Sequence, residues 1–182
     1  MRIFVTVGTQ LPFDRLVRAM DDWAASHPGH EVLAQTGDGA FVARAIATVR
    51  TLSREAFARA VAEADVVVAH AGIGSVLTAL DAGKPVVLMP RRADLREHRN
   101  DHQAATAAEL SRLATVTVVN DGAALAAALC GAAAAGASAG AATRGVASAA
   151  LLSAVAGFIA GDAAPRRRAA PPRLARGEVR HA

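Results

Sequence analysis

Three short stretches gather the groups that could do chemistry. The densest is His70-Ala71-Gly72-Ile73-Gly74-Ser75. Its two glycines lack the Cβ atoms that would keep a phosphate off the backbone. Ser75 can donate its hydroxyl, and a helix starting there adds partial positive charge. The second stretch is Gly8-Thr9-Gln10-Leu11-Pro12, where backbone amides and the Thr9 hydroxyl can face a ligand. The third runs from Pro90-Arg91-Arg92 to Glu97-His98-Arg99-Asn100-Asp101-His102-Gln103. Imidazole and amide groups such as those of His102 and Gln103 hold donors and acceptors in fixed planes, which suits hydroxyl recognition. Arginine suits a diphosphate or a carboxylate. Arg91, Arg92, Arg96 and Arg99 would suit a carboxylate-bearing ligand, and equally a diphosphate or solvent. Each stretch also has a plainer reading: an ordinary turn, a hydrogen-bonded histidine closing a strand, and a solvated charged loop.

Two chemistries fit poorly. The Gly72-x-Gly74 spacing lacks the third glycine of the dinucleotide fingerprint, since position 77 is Leu, and it follows a middle strand. That argues against a nicotinamide dehydrogenase. His98 and His102 stand four apart, as two ligands on one helix face would, but no third ligand is near, so no metal site is expected.

The elements that must position these residues alternate along the chain. Strands are expected at 2–7, 31–35, 45–49, 66–69, 86–89 and 116–119. Helices are expected from Phe13 to about His27, from a Ser53 cap to about Ala64, and over 75–82, 100–113 and 121–129. Short apolar strands separated by helices imply a parallel sheet covered on both faces, with all three stretches leaving the same edge.

The composition agrees with one such domain. The chain has 182 residues, 53% hydrophobic but only 3% aromatic, so Val, Leu, Ile and Ala must build the core. The single cysteine, Cys130, excludes an intrachain disulfide. The net charge of +4 is uneven: residues 165–182 hold six Arg and one Glu, while the other 164 residues hold 14 basic and 15 acidic groups. The basicity is a tail rather than a nucleic-acid face, and no nucleic acid is expected as partner. Residues 131–144 are rich in Ala and Gly and read as a linker or weak helix. Residues 145–161 are apolar and read as a C-terminal helix, short of the roughly 20 residues a membrane span needs. Disorder is expected over 162–182. The tail could lie near anionic lipid or simply be solvated. The first apolar run reads as a strand rather than a signal peptide, so a cytoplasmic protein is expected.

Taken together, Val5-Thr6-Val7-Gly8-Thr9-Gln10, Pro12-Phe13-Asp14-Arg15-Leu16-Val17, His70-Ala71-Gly72-Ile73-Gly74-Ser75, Ala82-Gly83-Lys84-Pro85 and Glu97-His98-Arg99-Asn100-Asp101-His102-Gln103 resemble the C-terminal, donor-binding half of glycosyltransferase family 28. The likeness covers residues 1 to about 130. It is nearest to small stand-alone members: the catalytic subunit of the dolichol-pathway N-acetylglucosaminyltransferase and the exopolysaccharide glucuronosyltransferase small subunit. The resemblance implies an α/β fold, a Rossmann-like parallel sheet forming one GT-B C-terminal half. It implies a donor-binding subunit of a two-component inverting glycosyltransferase. A membrane-anchored partner would supply the acceptor half, and a hexosyl or hexuronosyl group would pass from a UDP-sugar to a lipid-linked saccharide. The chain would then sit at the inner face of the cell membrane through its partner, in cell-surface polysaccharide synthesis. No metal or other cofactor is implied.

By that likeness Gly8 and Thr9 would border the diphosphate, and Gly72, Gly74 and Ser75 would carry its phosphates. His102 and Gln103 would contact sugar hydroxyls, and His70 and Arg91 would line the cleft. His70, His102 and Gln103 are the implied catalytic set, with Thr78, Glu97 and Asn100 added to the donor-binding one. One position departs from the pattern: many relatives carry Glu three residues past the serine, against ribose hydroxyls, where this chain has Thr78. That leaves room for a non-catalytic UDP-sugar-binding or scaffolding subunit, or for a self-sufficient nucleotide-sugar epimerase.

Overall fold

A computed structural model describes residues 1–138; the linker beyond 138, the apolar segment 145–161 and the tail 162–182 lie outside the described residues. Six strands form one sheet: β1 (Arg2–Thr6), β2 (Glu31–Gln35), β3 (Ala47–Val49), β4 (Val66–Ala69), β5 (Val86–Leu88) and β6 (Val116–Val118). Every pairing is parallel, and the order is β3-β2-β1-β4-β5-β6. The five helices are α1 (Asp14–Ala25), α2 (Arg54–Glu63), α3 (Ile73–Asp81), α4 (His102–Leu110) and α5 (Gly122–Ser138).

Strand periodicity of two sends alternate residues of β1 to opposite faces. Ile3 and Val5 pack with Leu16, Val17 and Met20 of α1 and with Leu125 and Leu129 of α5. Phe4 packs on the other side with Val61 of α2, Val76 and Leu80 of α3, and Leu110 of α4. All four residues of β4 are buried, as befits a central strand covered on both faces. The chain fills β2 and β3 on one side of β1, then returns to place β4, β5 and β6 on the other. The sheet therefore has its switch point between β1 and β4, where the loops at the carboxyl ends diverge and leave a crevice.

Ser53 caps α2 as its sequence suggests, its Oγ accepting from the Ala56 amide at 3.2 Å. Elsewhere the boundaries move for local reasons. Strand β3 starts at Ala47 rather than Ala45, because the Asp21 carboxylate takes the amides of Arg44 and Ala45 at 2.9 and 2.7 Å. Helix α3 starts two residues early, at Ile73, which puts Gly74 and Ser75 in its first turn. Helix α4 starts at His102 rather than Asn100: Asn100 is engaged with the His98 ring, and the Asp101 carboxylate accepts from the Ala93 amide. Helix α5 does not stop at Leu129 but runs to Ser138, so residues 131–138, readable as a linker or a weak helix, are helical. Alanine has the highest helix propensity, and Leu125 and Leu129, one turn apart, anchor the segment in the core.

Candidate functional site

A hollow of about 480 Å³ opens at the carboxyl rim over the switch point. Residues 6–11 after β1 form one wall, residues 70 and 72–75 after β4 another, and Arg91, His98 and Gln103 after β5 a third. Gln35, Leu52, Ser53, Arg54 and Phe57 complete it from the β2 and β3 side, with Thr78 on α3. The volume falls within the range of small-molecule sites, roughly 300–1,000 Å³.

The His70 ring sits between two glycines. A Cβ on Gly72 would lie 2.0 Å from His70 Nε2, and one on Gly8 would lie 2.6 Å from its Cε1. Gly8 also has φ +76°, a conformation open to glycine. These two glycines thus make room for the imidazole. Only Gly74 meets the expectation of backbone left clear for a ligand, since a Cβ there would meet nothing within 4 Å. The ring is buried, and its Nδ1 lies 3.4 Å from the Thr6 carbonyl, which can only accept, so Nδ1 carries the hydrogen and Nε2 a lone pair. Burial, and then the positive charge of Arg91, pull the His70 pKa down to about 4, against the opposing Thr6 bond. His70 is neutral at pH 7.

Helix α3 presents an uncapped start. Gly72 is its N-cap and supplies no side chain, and the first helical bond is Val76 N to Gly72 O at 3.2 Å. The amides of residues 73–75 therefore face the hollow they line, with the positive end of the helix dipole behind them. The Thr78 hydroxyl donates to the Gly74 carbonyl at 2.9 Å, so toward a ligand its oxygen can only accept.

Arg91 is 3% exposed. Its Nη2 donates to the Val7 carbonyl at 2.8 Å and to the Leu11 carbonyl, and its guanidinium lies over the Phe13 ring at 5.0 Å. Its backbone amide donates to Gln103 Oε1 at 3.1 Å, which leaves the Gln103 amide nitrogen as a donor at the rim. Burial lowers the Arg91 pKa to about 10, with Glu97 opposing, so the charge persists at neutral pH. Its Nε is buried with no hydrogen-bond partner among the described residues. Arg91 ties the β1–α1 loop to the end of β5 and holds a positive charge beneath the hollow.

Glu97 and Asn100 stand apart from the other expected donor contacts. Glu97 receives both Arg15 Nε and Nη2, at 2.6 and 2.8 Å, and the Arg92 amide at 2.9 Å. Arg15 also reaches the carbonyls of Pro90 and Asn120. This bidentate, partly buried pair fixes the loops after β5 and β6 to α1, and Glu97 does not line the hollow. Asn100 is likewise off the lining, its side-chain oxygen 3.1 Å from His98 Nδ1. Gly8, Thr9, His70, Gly72, Gly74, Ser75, Thr78, Arg91 and Gln103 all come together there. His102 opens α4, and its side chain lies outside the described ones. The sequence reading passed over Gln35, buried where β2 ends and accepting from the Thr6 hydroxyl at 3.0 Å. A polar residue closing an apolar strand was the available signal. Arg15 gave none, because one charge on a helix face looks like any other.

The model of the glycosyltransferase family 28 C-terminal domain matches residues 2–137. Similar solved structures include the glycotransferase of kitacinnamycin, at 19% identity and a TM-score of 0.59, covering 72% of this chain and 34% of that one. The calicheamicin glycosyltransferase follows at 21% identity and 0.54, covering 70% and 33%. UDP-glucose: anthocyanidin 3-O-glucosyltransferase, solved in complex with UDP, matches at 18% identity and 0.52, covering 70% and 30%. At such identities the likeness is one of fold, and the chain spans about a third of each of these proteins. No curated protein matches the sequence. With its parallel Rossmann-like sheet and a family match over residues 2–137, the chain belongs to glycosyltransferase family 28, of which it carries the C-terminal domain.

Proposed function

We propose that this chain is the donor-binding subunit of a two-component inverting glycosyltransferase. It takes a UDP-sugar and, with a membrane-anchored partner holding a lipid-linked saccharide, transfers a hexosyl or hexuronosyl group in cell-surface polysaccharide synthesis. The observation that carries the reading is the convergence of the Gly8 loop, the uncapped start of α3 and the Arg91–Gln103 segment on one hollow at the switch point. The chain spans about a third of the glycosyltransferases it resembles, and in this reading a partner supplies the acceptor half. Among the described residues no helix is long and apolar enough to cross a membrane.

In this reading an acceptor hydroxyl attacks the anomeric carbon, its proton passes to a base, and the bond from that carbon to the diphosphate oxygen breaks. The leaving UDP gains negative charge. The amides of residues 73–75, the α3 dipole and the buried Arg91 cation already stand where that charge develops, which is electrostatic stabilisation without reorganisation. Gly8 and Thr9 border the diphosphate, and Ser75 adds a hydroxyl. Neutral His70 offers a lone pair rather than a second cation. Gln103 and His102 hold sugar hydroxyls. Thr78, whose hydroxyl hydrogen goes to Gly74, gives the ribose a single acceptor.

Calorimetric titration of the full chain with UDP and with uridine tests this. If the diphosphate cradle is the anchor, UDP binds at least tenfold more tightly than uridine, a difference of about 1.4 kcal/mol. Equal affinities would overturn the reading.

A further inference from the structure

Beside the site lies a second hollow of about 320 Å³, joined to the first through Leu11 and His98, which line both. Arg96 and Arg99 stand at its edge, with Leu11 and Pro12 on its apolar side. Segment 91–99 holds four arginines, and they are not equivalent. Arg91 is buried, and Arg92 is paired with Asp94 at 3.0 and 2.6 Å. The nearby acids are also engaged: Glu97 with Arg15, and Asp101 with the Ala93 amide at 3.2 Å. Arg96 and Arg99 are exposed, and among the described residues no carboxylate pairs with either. Apart from Arg91 beneath the main hollow, the charge of the segment that no carboxylate pairs with therefore lies at this hollow, whose other charged lining residue, Glu97, is taken up by Arg15.

The backbone there is set in advance. Arg96 is the one non-glycine among the described residues with a positive φ, +58°. That conformation is strained for an L-residue other than Asn or Asp. It is held by Arg96 N to Ala93 O at 3.0 Å and Glu97 N to Arg92 O at 3.1 Å, and the turn is fastened to α1 by the Arg15–Glu97 pair. Two exposed guanidinium groups carried on a fixed backbone beside an apolar wall suit a planar or tetrahedral anion, because each can donate two parallel hydrogen bonds.

From this arrangement we infer that the side hollow is a second anion subsite, which takes a carboxylate or phosphate carried by a substrate while the nucleotide fills the main hollow. The inference rests on the UDP-sugar reading of that main hollow. The anion has two sources: the carboxylate of an acidic donor sugar, or the phosphate of a lipid-linked acceptor.

Two arms of one titration on the full chain separate these sources. The first compares UDP-glucuronate with UDP-glucose, and the second compares hexyl phosphate with hexanol. At least one charged probe is expected to bind about tenfold better than its neutral counterpart. The double substitution Arg96→Gln and Arg99→Gln should erase that preference and leave UDP itself within about twofold, since neither residue lines the main hollow. Preference in the sugar arm identifies a donor carboxylate; preference in the alkyl arm identifies an acceptor phosphate. No charge preference in either arm, or one that survives the double substitution, overturns the subsite. Should UDP bind no better than uridine while hexyl phosphate keeps its arginine-dependent preference, the donor-site reading falls and the subsite stands.

Discussion

Two hollows of comparable size open at opposite rims of the sheet, and only one looks functional. A hollow of about 560 Å³ lies at the amino ends of β1 and β2, lined by residues that include Arg2, Phe4, Glu31, Ala47, Ala60 and Glu63. The carboxyl-rim hollow is smaller, at about 480 Å³. What separates them is helix polarity. In a parallel sheet each helix begins near the end of one strand and finishes near the start of the next, so its amides point to one rim and its carbonyls to the other. The amino-rim hollow meets the last turn of α2, at Glu63 and Ala64, and carries acids of its own. Its Arg2 is already paired with Glu31 at 3.1 Å, and its backbone amide with Asp65 at 2.7 Å. The carboxyl-rim hollow meets the start of α3, with amides uncapped and a buried cation beneath. Volume is common to both; the uncapped helix start and the buried cation belong to one.

The strongest way to break this contrast is to crowd the ring that shapes the carboxyl rim. Gly72→Ala would put a methyl 2.0 Å from His70 Nε2, with the ring already confined by Gly8. The expected cost is about 3 kcal/mol of unfolding free energy in urea, the upper end for overpacking a filled site. In a His70→Ala background the same change should cost under about 1 kcal/mol, because the clash is gone. Equal costs in both backgrounds would mean that Gly72 serves something other than the imidazole.

Acid should act next. His70 has its folded-state pKa lowered from the usual 6.5 to about 4, mainly by burial. Below 6.5 the unfolded chain takes up a proton that the folded chain refuses until about pH 4, so stability falls as pH drops through that window. Between pH 7 and 5 the native protein should lose about 2 kcal/mol more than His70→Asn, which cannot titrate. Parallel losses in the two proteins would place the ring in contact with water rather than between glycines.

The fold was legible because its signals are local and redundant: apolar runs such as 66–69, the Ser53 cap and the glycine turns each specify an element on their own. The site was legible as a set of loops but not as a division of labour. Nothing in the sequence says that Gly72 clears a ring while Gly74 faces open space, since that depends on where His70 turns its side chain. Nor does it say that Glu97 answers Arg15, 82 positions away. Polar clusters announce a site, but pairing between distant charges decides which members remain free to bind. The end of α3 shows the same limit from the other side. Its start two residues early follows from Gly72 adopting an extended cap, a backbone choice invisible in a run of small residues.

The mildest perturbation bears most directly on the two hollows. Gly74→Asp adds a carboxylate in the first turn of α3, where a Cβ meets nothing within 4 Å. An acid at a helix start favours the helix by about 0.3–1 kcal/mol, so folding should not suffer. Glu63→Lys is its counterpart at the amino rim: an exposed cation in the last turn of α2, favourable to that helix for the same reason. Each substitution thus suits its own helix and reverses the attraction of its own hollow. If a diphosphate binds at the carboxyl rim, Gly74→Asp should weaken UDP about tenfold, through like-charge repulsion at close range, while Glu63→Lys changes it by less than about twofold. A reversed outcome, with UDP insensitive at residue 74 and gaining affinity from a lysine at 63, would move the nucleotide to the larger hollow and with it the entire polarity argument.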